Sequence, residues 1–329
     1  MPDLWSLPSA MQFLAEVPPL VRQGGALVVA DASTPPEMTG ALRRNLRDDF
    51  VVHDLLPDPG ALPLSAVAEA LGMPGASVQD IRRQDGVLIV DGQDLPAPDQ
   101  GRWGDFLGGF LAAPGHAAVL YLTGTPPARA LPRLEWGARL RWADAMIWAE
   151  YAVPAGRRGL VQKLAVDLAV ELCGWRLDLI PDLVSQREED IIEPTGWLER
   201  NRDRASLQTA TFGHAAFACP LQLLLQGDQQ EIRRRIWAAH LSILFPWIED
   251  HRQRLIQRYG KHLRVDQHLR NLGVETVEDI ELGAVRWQLS RLLNGEERYG
   301  VDALARMRND LAHRKPVRAA DLAQAMRLR

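Results

Sequence analysis

Three residues near the end of the chain combine side-chain types that could act together on a phosphate ester. They are Arg308, Asn309 and His313, within the segment Leu304 to Pro316, LARMRNDLAHRKP. If this segment is helical, Asn309 and His313 are four positions apart and share a face, with Arg308 at its edge. An imidazole can transfer the proton of a hydroxyl nucleophile, and a guanidinium can stabilise charge that builds on a phosphate. The segment is therefore the candidate catalytic site.

The spacing of arginine and histidine in this segment is not rare in such an arginine-rich chain. An arginine followed five positions later by a histidine is expected about once by chance at this composition. A second copy runs from Arg235 to His240, and a version one residue longer runs from Arg47 to His53. Residues 313–316, HRKP, also suit a helix end, because cations there stabilise the helix dipole and proline stops the helix. A structural role at a helix terminus is therefore the alternative interpretation.

The arrangement of the late copy resembles the signature of HEPN domains, in which a polar residue follows the arginine and a histidine comes four to six residues after it. HEPN domains are all-helical modules, and many of them are ribonucleases that need no metal ion. The resemblance implies that His313 moves the proton of a ribose 2′-hydroxyl and that Arg308 holds the scissile phosphate, with Asn309 orienting one of these groups. It also implies a homodimer. Transesterification of RNA needs one group to remove a proton from the 2′-hydroxyl and a second group to supply a proton to the leaving oxygen.

Composition sets limits on the classes of function that the chain can have. The chain has 329 residues, 47% of them hydrophobic, and a formal net charge of −4, so it has no overall attraction for nucleic acid. Its two cysteines, Cys173 and Cys219, have no metal-ligand spacing, which predicts buried free thiols, a reducing compartment and no metal site. We expect no cofactor. No basic-then-apolar leader and no long apolar run are present, which predicts a cytoplasmic protein without a membrane partner.

The amino-terminal third predicts a parallel sheet covered by helices. Short apolar runs rich in valine and leucine alternate with amphipathic stretches, which is typical of strands buried on both faces. The runs are Ala26 to Ala30, Phe50 to Leu56, Val87 to Val90, and Ala117 to Leu122. Ligands of such sheets bind beyond the carboxyl ends of the strands. In this chain Asp31, Asp54, Asp91 and Thr123 lie at those ends, although Asp31 and Asp91 could also be ordinary turn residues before helices.

The strands that end at Asp91 and Thr123 resemble the Walker B strand and the polar sensor strand of AAA-type and STAND-type NTPases. The resemblance implies an α/β domain of the phosphate-loop NTPase class. The loop after the first strand reads ADASTPPEMTGALRR and lacks GxxxxGK[ST], and no lysine precedes Lys163. A phosphate loop needs glycines for its backbone cradle and a lysine for the terminal phosphates. We therefore predict a degenerate NTPase core that neither binds nor hydrolyses ATP.

The rest of the chain predicts helices throughout. After Pro132 the apolar residues recur at helical intervals, which suggests three domains. These are an NTPase-like α/β domain (1–132), a helical extension (133–228) and a HEPN-like helical domain (229–329). Within the extension, the charged segment Ser185 to Arg204 is expected to be a linker or an exposed hairpin. Gln229 to Tyr259 predicts one helix bent at Pro246 or two helices. This stretch is the most basic in the chain, and its candidate RNA-binding residues are Arg233, Arg234, Arg235 and Arg252.

Taken together, the chain resembles proteins of prokaryotic conflict and antiviral defence systems that join an inactive STAND-like or AAA-like core to a HEPN-like ending. The resemblance implies one of two classes of function. The first is an RNA-cleaving effector whose inactive NTPase-like domain serves as a sensor or scaffold. The second is a catalytically silent interaction subunit that docks partner proteins. The arginine-rich stretch and the trio Arg308, Asn309 and His313 favour the first, and the acidic net charge favours the second. Exposure of His313 would favour the nuclease, and burial in a helical core would favour the silent subunit.

Overall fold

The computed structural model describes residues 3–111, 117–124, 132–157 and 159–328. The chain forms two compact units. The first contains Met1–Asp144 together with Gln208–Phe217, and the second contains Ala145–Leu207 together with Ala218–Arg329. The first is an α/β unit and the second is helical.

A five-stranded parallel sheet forms the centre of the first unit, and its strand order is β2-β3-β4-β1-β5. The strands are β1 (Gly25–Val29), β2 (Val52–Leu55), β3 (Gly86–Asp91), β4 (Ala117–Thr123) and β5 (Arg133–Glu135). The side chains of β3 and β4 are almost all buried, because the sheet is covered on both faces. The four strands predicted from apolar runs are confirmed with small shifts at their ends.

Six helices of the first unit surround this sheet. They are α1 (Pro8–Ala15), α2 (Val17–Arg22), α3 (Met38–Leu46), α4 (Pro63–Ala70), α5 (Val78–Arg82) and α6 (Ala97–Leu111). One face of the sheet packs on α4, α5 and α6 through a core that includes Leu88, Val119, Trp103 and Leu107. Burial of such large apolar side chains is the main driving force for the unit.

The first unit extends further along the chain than the predicted boundary at residue 132. Strand β5 pairs with β1, so the sheet itself continues past that position. Asp144 is buried and accepts hydrogen bonds from both the backbone N–H and the hydroxyl of Ser9, at 3.0 and 2.6 Å. A two-stranded sheet of β6 (Thr209–Phe212) and β7 (Ala215–Ala218) also belongs largely here, and Phe212 stacks on Trp142.

The second unit is built from helices. They are α7 (Trp142–Ala152, which begins in the first unit), α8 (Gly159–Cys173), α9 (Ile180–Val184), α10 (Glu188–Ile192), α11 (Thr195–Arg200), α12 (Pro220–Leu225), α13 (Gln229–Tyr259), α14 (Gln267–Asn271), α15 (Leu282–Leu289), α16 (Gly295–Ala312) and α17 (Ala319–Ala325). Helix α13 contacts α8, α15 and α16. The segments predicted as separate domains, 133–228 and 229–329, therefore share one unit after residue 144.

Helix α13 is a single helix that contains Pro246. Proline removes one backbone hydrogen bond to the residue four positions earlier. Pro246 and Ser242 lie on the same side of the helix, and both residues are exposed. The helix survives the proline because Leu244 and Ile248 on the opposite side are fully buried.

Residues 185–204 do not form the linker or exposed hairpin that their charge predicts. They contain α10 and α11, and Ile191, Trp197 and Leu198 are fully buried. Trp197 also donates a hydrogen bond from its indole nitrogen to Asp182 Oδ2 at 2.8 Å. Pro194 precedes α11 directly and starts a helix there, so the proline that predicted a break marks a helix start.

Cys173 and Cys219 are buried free thiols, as predicted. Burial raises the pKa of the Cys173 thiol, which keeps it protonated.

In the described part of the chain, no helix combines the length and the apolar character needed to cross a bilayer.

Candidate functional site

Helix α16 positions the three candidate catalytic residues. Its start is capped by Asn294, whose side chain accepts a hydrogen bond from the Glu297 N–H at 2.9 Å. Its buried face carries Leu304, Met307 and Leu311, as the apolar spacing predicts. These side chains pack into the core formed with α8, α13 and α17. The face with Arg308 and Asn309 is thereby directed away from the core.

The end of α16 is a tightly capped turn. His313 is the C-cap residue, and its backbone N–H donates to the Asn309 carbonyl at 3.0 Å, which keeps it one turn beyond Asn309. Arg314 follows with a positive φ of 56°, and the Lys315 N–H returns to the Asp310 carbonyl at 2.8 Å. This is the bonding of a Schellman motif, in which glycine usually takes the left-handed position. The segment therefore fulfils the structural role of a helix terminus as well.

Arg308 forms an ion pair within the second unit. Its guanidinium lies 3.0 Å from a carboxylate oxygen of Glu281, and the two side chains are 30% and 67% exposed. Arg308 and Asn309 line a small pocket of about 150 Å³ together with Glu281, Arg286 and residues near the start of α15. His313 is not among the described residues that line it. Within one chain, the Arg308 guanidinium and the Asn309 amide thus line the same pocket, and the His313 imidazole lies outside it.

His313 itself is exposed rather than packed into the helical core. Asn309 is exposed as well. The imidazole is therefore accessible to a substrate, and it can accept or donate a proton without any rearrangement of the core. Arg308 can meet a phosphate only if it shares or leaves its contact with Glu281.

The second arginine–histidine copy lies inside the protein. Arg235 is buried and donates to the carbonyl groups of Leu172 and Ala218, at 3.2 and 3.0 Å. His240 is fully buried, and its Nδ1 accepts the Val317 N–H at 2.9 Å. Burial lowers the pKa of His240 to about 4, so its imidazole is neutral at physiological pH. This pair acts as structural cross-links in the helical core.

The four candidate RNA-binding arginines differ in their availability. Arg235 is enclosed as described, and Arg252 donates to the carbonyl groups of Glu278 and Ile280, at 2.7 and 2.9 Å. Arg234 is exposed but bidentately bonded to Glu231 at 2.6 and 2.8 Å. Arg233 is exposed and, among the described residues, has no hydrogen bond or ion pair. Of these four candidates, only Arg233 and Arg234 have exposed side chains.

A groove that the sequence did not suggest brings the start of α13 together with the end of α16. Its volume is about 780 Å³, and Arg233, Arg234, Trp237 and Arg314 line it together with Asp228 and Glu231. We call it the Arg314 groove. Trp237 and Arg314 were missed because they are 77 positions apart, and no local pattern connects two residues at that distance.

The polar row at the carboxyl ends of the strands is largely occupied by internal hydrogen bonds. Asp31 Oδ1 accepts from both the N–H and the hydroxyl of Ser33, at 2.8 and 2.6 Å. Thr123 is fully buried and donates to Gln100 Oε1 at 3.0 Å. These bonds hold the strand-end loops in place. Both residues therefore have structural roles within the first unit.

Asp91 makes a contact that the sequence analysis missed. Its Oδ2 accepts a hydrogen bond of 2.5 Å from the hydroxyl of Thr39, in the first turn of α3. Residues 32–39, ASTPPEMT, have the spacing of GxxxxGK[ST], with Thr39 at the hydroxyl position. Glu37, with a positive φ of 60°, lies where that pattern has its second glycine, and the buried Met38 lies where it has its lysine. No sequence signal indicated this contact, because the glycines and the lysine that define the pattern are absent from residues 32–39.

No protein-family model matches the chain, and no curated protein matches its sequence. Within the described ranges, no cluster of three or more histidine, cysteine, aspartate or glutamate side chains is arranged to hold a metal ion.

Proposed function

We propose that this protein is an RNA-cleaving effector of a prokaryotic defence system, with a HEPN-like catalytic end and an NTPase-like domain that serves as a scaffold. One observation carries the proposal: Asn309 and His313 are exposed at the end of α16, with Arg308 beside them on a surface pocket. The other helical copy of the spacing, Arg235 to His240, is enclosed in the core. Of the two, only the late copy is accessible to a substrate.

The proposed reaction is metal-independent transesterification of RNA. The ribose 2′-hydroxyl attacks the adjacent phosphorus as His313 accepts its proton, and the bond to the 5′-oxygen of the next nucleotide breaks. Arg308 stabilises the negative charge on the phosphate oxygens. The leaving 5′-oxygen needs a proton, and one imidazole cannot supply it while removing another. We therefore propose that two chains form a symmetric dimer that brings two copies of the trio to one cleft.

The amino-terminal unit acts, in this proposal, as a degenerate NTPase-like core. The strand order inserts β4 between β1 and β3, which suits the resemblance to AAA-type cores. In active phosphate-loop enzymes the loop hydroxyl and the Walker B aspartate hold the metal ion. In this chain Thr39 bonds directly to Asp91, and Asp31 adds a carboxylate to the loop. With Met38 in place of the lysine, residues 32–39 contain no cation for a nucleotide phosphate.

The proposal is tested by comparing RNA cleavage by purified variants. Arg308→Ala and His313→Ala should each lower cleavage by at least about 100-fold, since each removes a group that acts in the transition state. Replacement of another exposed histidine, His262→Ala, is the matched control and should leave the rate unchanged. Circular dichroism and size-exclusion chromatography verify that fold and dimer are retained. Cleavage that persists in both variants would mean that this segment is structural.

The second candidate function is a catalytically silent interaction subunit. The ion pair between Arg308 and Glu281 favours it, because that contact occupies the guanidinium that a phosphate would need. In that case wild-type protein would cut no RNA, and co-purification from the native host would recover partner proteins equally well with Arg308→Ala and His313→Ala. The cleavage assay above separates the two functions.

A further inference from the structure

We propose that the Arg314 groove binds single-stranded RNA and delivers it to His313. The inference rests on the proposed function in taking RNA as the ligand. The groove joins two segments that are distant in sequence, the first turns of α13 and the turn that ends α16. His313 is not among the described residues that line the groove, but it directly precedes Arg314 in that turn, so the groove extends to the residue next to it.

Three guanidinium groups give the groove its charge. Arg233 has no counter-ion among the described residues, and both Arg233 and Arg314 are exposed. Arg234 is held in place by Glu231, whose charge is shared with Arg235. The hydrogen bond from Arg234 lowers the pKa of Glu231 to about 2, so the carboxylate stays ionised and the arginines stay oriented. Arginines arranged in this way suit a chain of phosphates.

The second carboxylate of the groove is occupied by the helix. Asp228 is the N-cap of α13, and its Oδ1 accepts the backbone N–H of Glu231 at 3.0 Å. Asp228 at the N-cap and Glu231 in the first turn offset the positive end of the dipole of α13. Both acidic side chains therefore form contacts within the protein, and the guanidinium groups of Arg233 and Arg314 are left for a ligand.

Trp237 supplies an aromatic wall. Its indole N–H donates to the Leu311 carbonyl at 2.9 Å, which fixes the ring against the last turn of α16. The side chain is half-buried, and its remaining surface lines the groove. Aromatic faces next to cations bind unstacked bases irrespective of sequence. This combination favours a single strand over a duplex, since the bases of a duplex are stacked on one another.

The backbone at Arg314 is a separate indication of function. An L-residue with a φ of 56° is strained, and glycine is usual at this position after a helix. An arginine at this position places a long cationic side chain in the groove, although the backbone is strained. Strained residues of this kind are concentrated at functional sites.

The test measures RNA binding by fluorescence anisotropy, with a labelled single strand of about 12 nucleotides, which is within the usual site sizes. The full-length His313→Ala variant serves as the background, so that the probe stays intact. Adding Arg233→Ala or Arg314→Ala should weaken binding about fivefold or more and reduce the salt slope by about 1 each. Trp237→Leu should weaken binding to a similar degree with little change in the salt slope.

Arg254→Ala is the matched control, since Arg254 is an exposed arginine on α13 that does not line the groove within the described residues. It should change the affinity less than twofold. The inference is overturned if the groove variants bind like this control, if a duplex of the same sequence binds as tightly, or if no RNA binds. RNA that binds in the groove of wild-type protein without being cut contradicts the cleavage proposal alone. RNA that is cut equally by the groove variants contradicts the groove alone.

Discussion

At the scale of single residues, the candidate site depends on a partner that the sequence does not indicate. Arg308, Asn309 and His313 could be placed at a helix end from the apolar spacing and the proline that follows. Glu281 could not, because it is 27 positions before Arg308 and only the packing of α15 against α16 brings the two together. Local patterns report on helix faces and ends, and they do not report on which faces meet.

Removing the charge of Glu281 should activate the site. Glu281→Gln keeps the shape of the side chain and weakens its hold on Arg308, so RNA cleavage should rise severalfold. Thermal unfolding should change little, because an exposed ion pair of this kind contributes about 0–1 kcal/mol. The exposed Glu275→Gln is the control and should have no effect on either measurement. A fall in cleavage as large as that of Arg308→Ala would show that Glu281 instead positions Arg308 for catalysis.

The contact between Thr39 and Asp91 has its own test by chemical denaturation. Thr39→Val keeps the volume of the side chain but removes the donor, leaving a half-buried carboxylate with fewer partners. The unfolding free energy should fall by about 1.5–3 kcal/mol, the usual value for a hydrogen bond to a charged group. Thr34→Val, which removes an exposed hydroxyl contact to the Asp31 backbone, should cost less. Equal losses in the two variants would count against a special role for the Thr39 hydroxyl.

At the scale of elements, predictability followed length and burial. Strands β1, β3 and β4 were predictable because doubly buried strands are continuous apolar runs, and β2 was predictable from the apolar residues at the ends of the run Phe50 to Leu56, although none of its own residues is buried. Strand β5 was not, because it has three residues, only Leu134 of which is buried, and the β6–β7 hairpin has two strands of four residues with only Ala210 and Phe212 buried. Helices α10 and α11 are short, and together they contain more charged residues than buried apolar residues. Their sequence therefore predicts a linker.

The pairing of α8 with α13 encloses an acidic group whose titration should be measurable. Glu171 on α8 is half-buried, and burial raises its pKa to about 7, with a further contribution from Asp167. Arg234 and Arg235 on α13 oppose this effect, and Glu231 adds to it. Asp167 itself has a raised pKa, again because of burial, which a hydrogen bond with Ser242 reduces. The folded state therefore holds the Glu171 proton more tightly than the unfolded chain does.

Stability should consequently fall as the pH rises from about 4.5 towards 7, since the folded state binds more protons in that window. Glu171→Gln should reduce this dependence, leaving the part due to Asp167, and raise the unfolding free energy at pH 8. We expect a gain of the order of 1 kcal/mol once solvent screening is allowed for. Denaturant unfolding at several pH values checks this, with the exposed Glu199→Gln as control. An unchanged pH profile in Glu171→Gln would contradict the raised pKa.

At the scale of the whole molecule, the α/β and helical units match the predicted classes, while their limits along the chain do not. Residues 133–144 and 208–217 belong to the first unit because β5 and the β6–β7 hairpin join it, and both are short elements with little periodicity. The resemblances to NTPase and HEPN domains remain proposals. They concern side chains at the ends of strands and helices, where topology alone does not define chemistry.

The first unit should not respond to nucleotide. Adding ATP and magnesium at millimolar concentration should leave the melting temperature unchanged, because a bound ligand would stabilise the folded state by mass action. No phosphate should be released. Magnesium-dependent ATP hydrolysis that Asp91→Ala abolishes would show that the loop from Ala32 to Thr39 still functions as a phosphate site.

The central claim is that His313 activates a ribose 2′-hydroxyl, and one measurement tests it most directly. Purified wild-type protein is incubated with a single-stranded RNA in excess EDTA, in parallel with the same sequence carrying 2′-O-methyl groups throughout. The account predicts cleavage of the unmodified strand alone, with 2′,3′-cyclic phosphate and 5′-hydroxyl ends, because the 2′-oxygen is the nucleophile. Cleavage that requires magnesium, cleavage of the methylated strand, or an intact RNA in every reaction would contradict it.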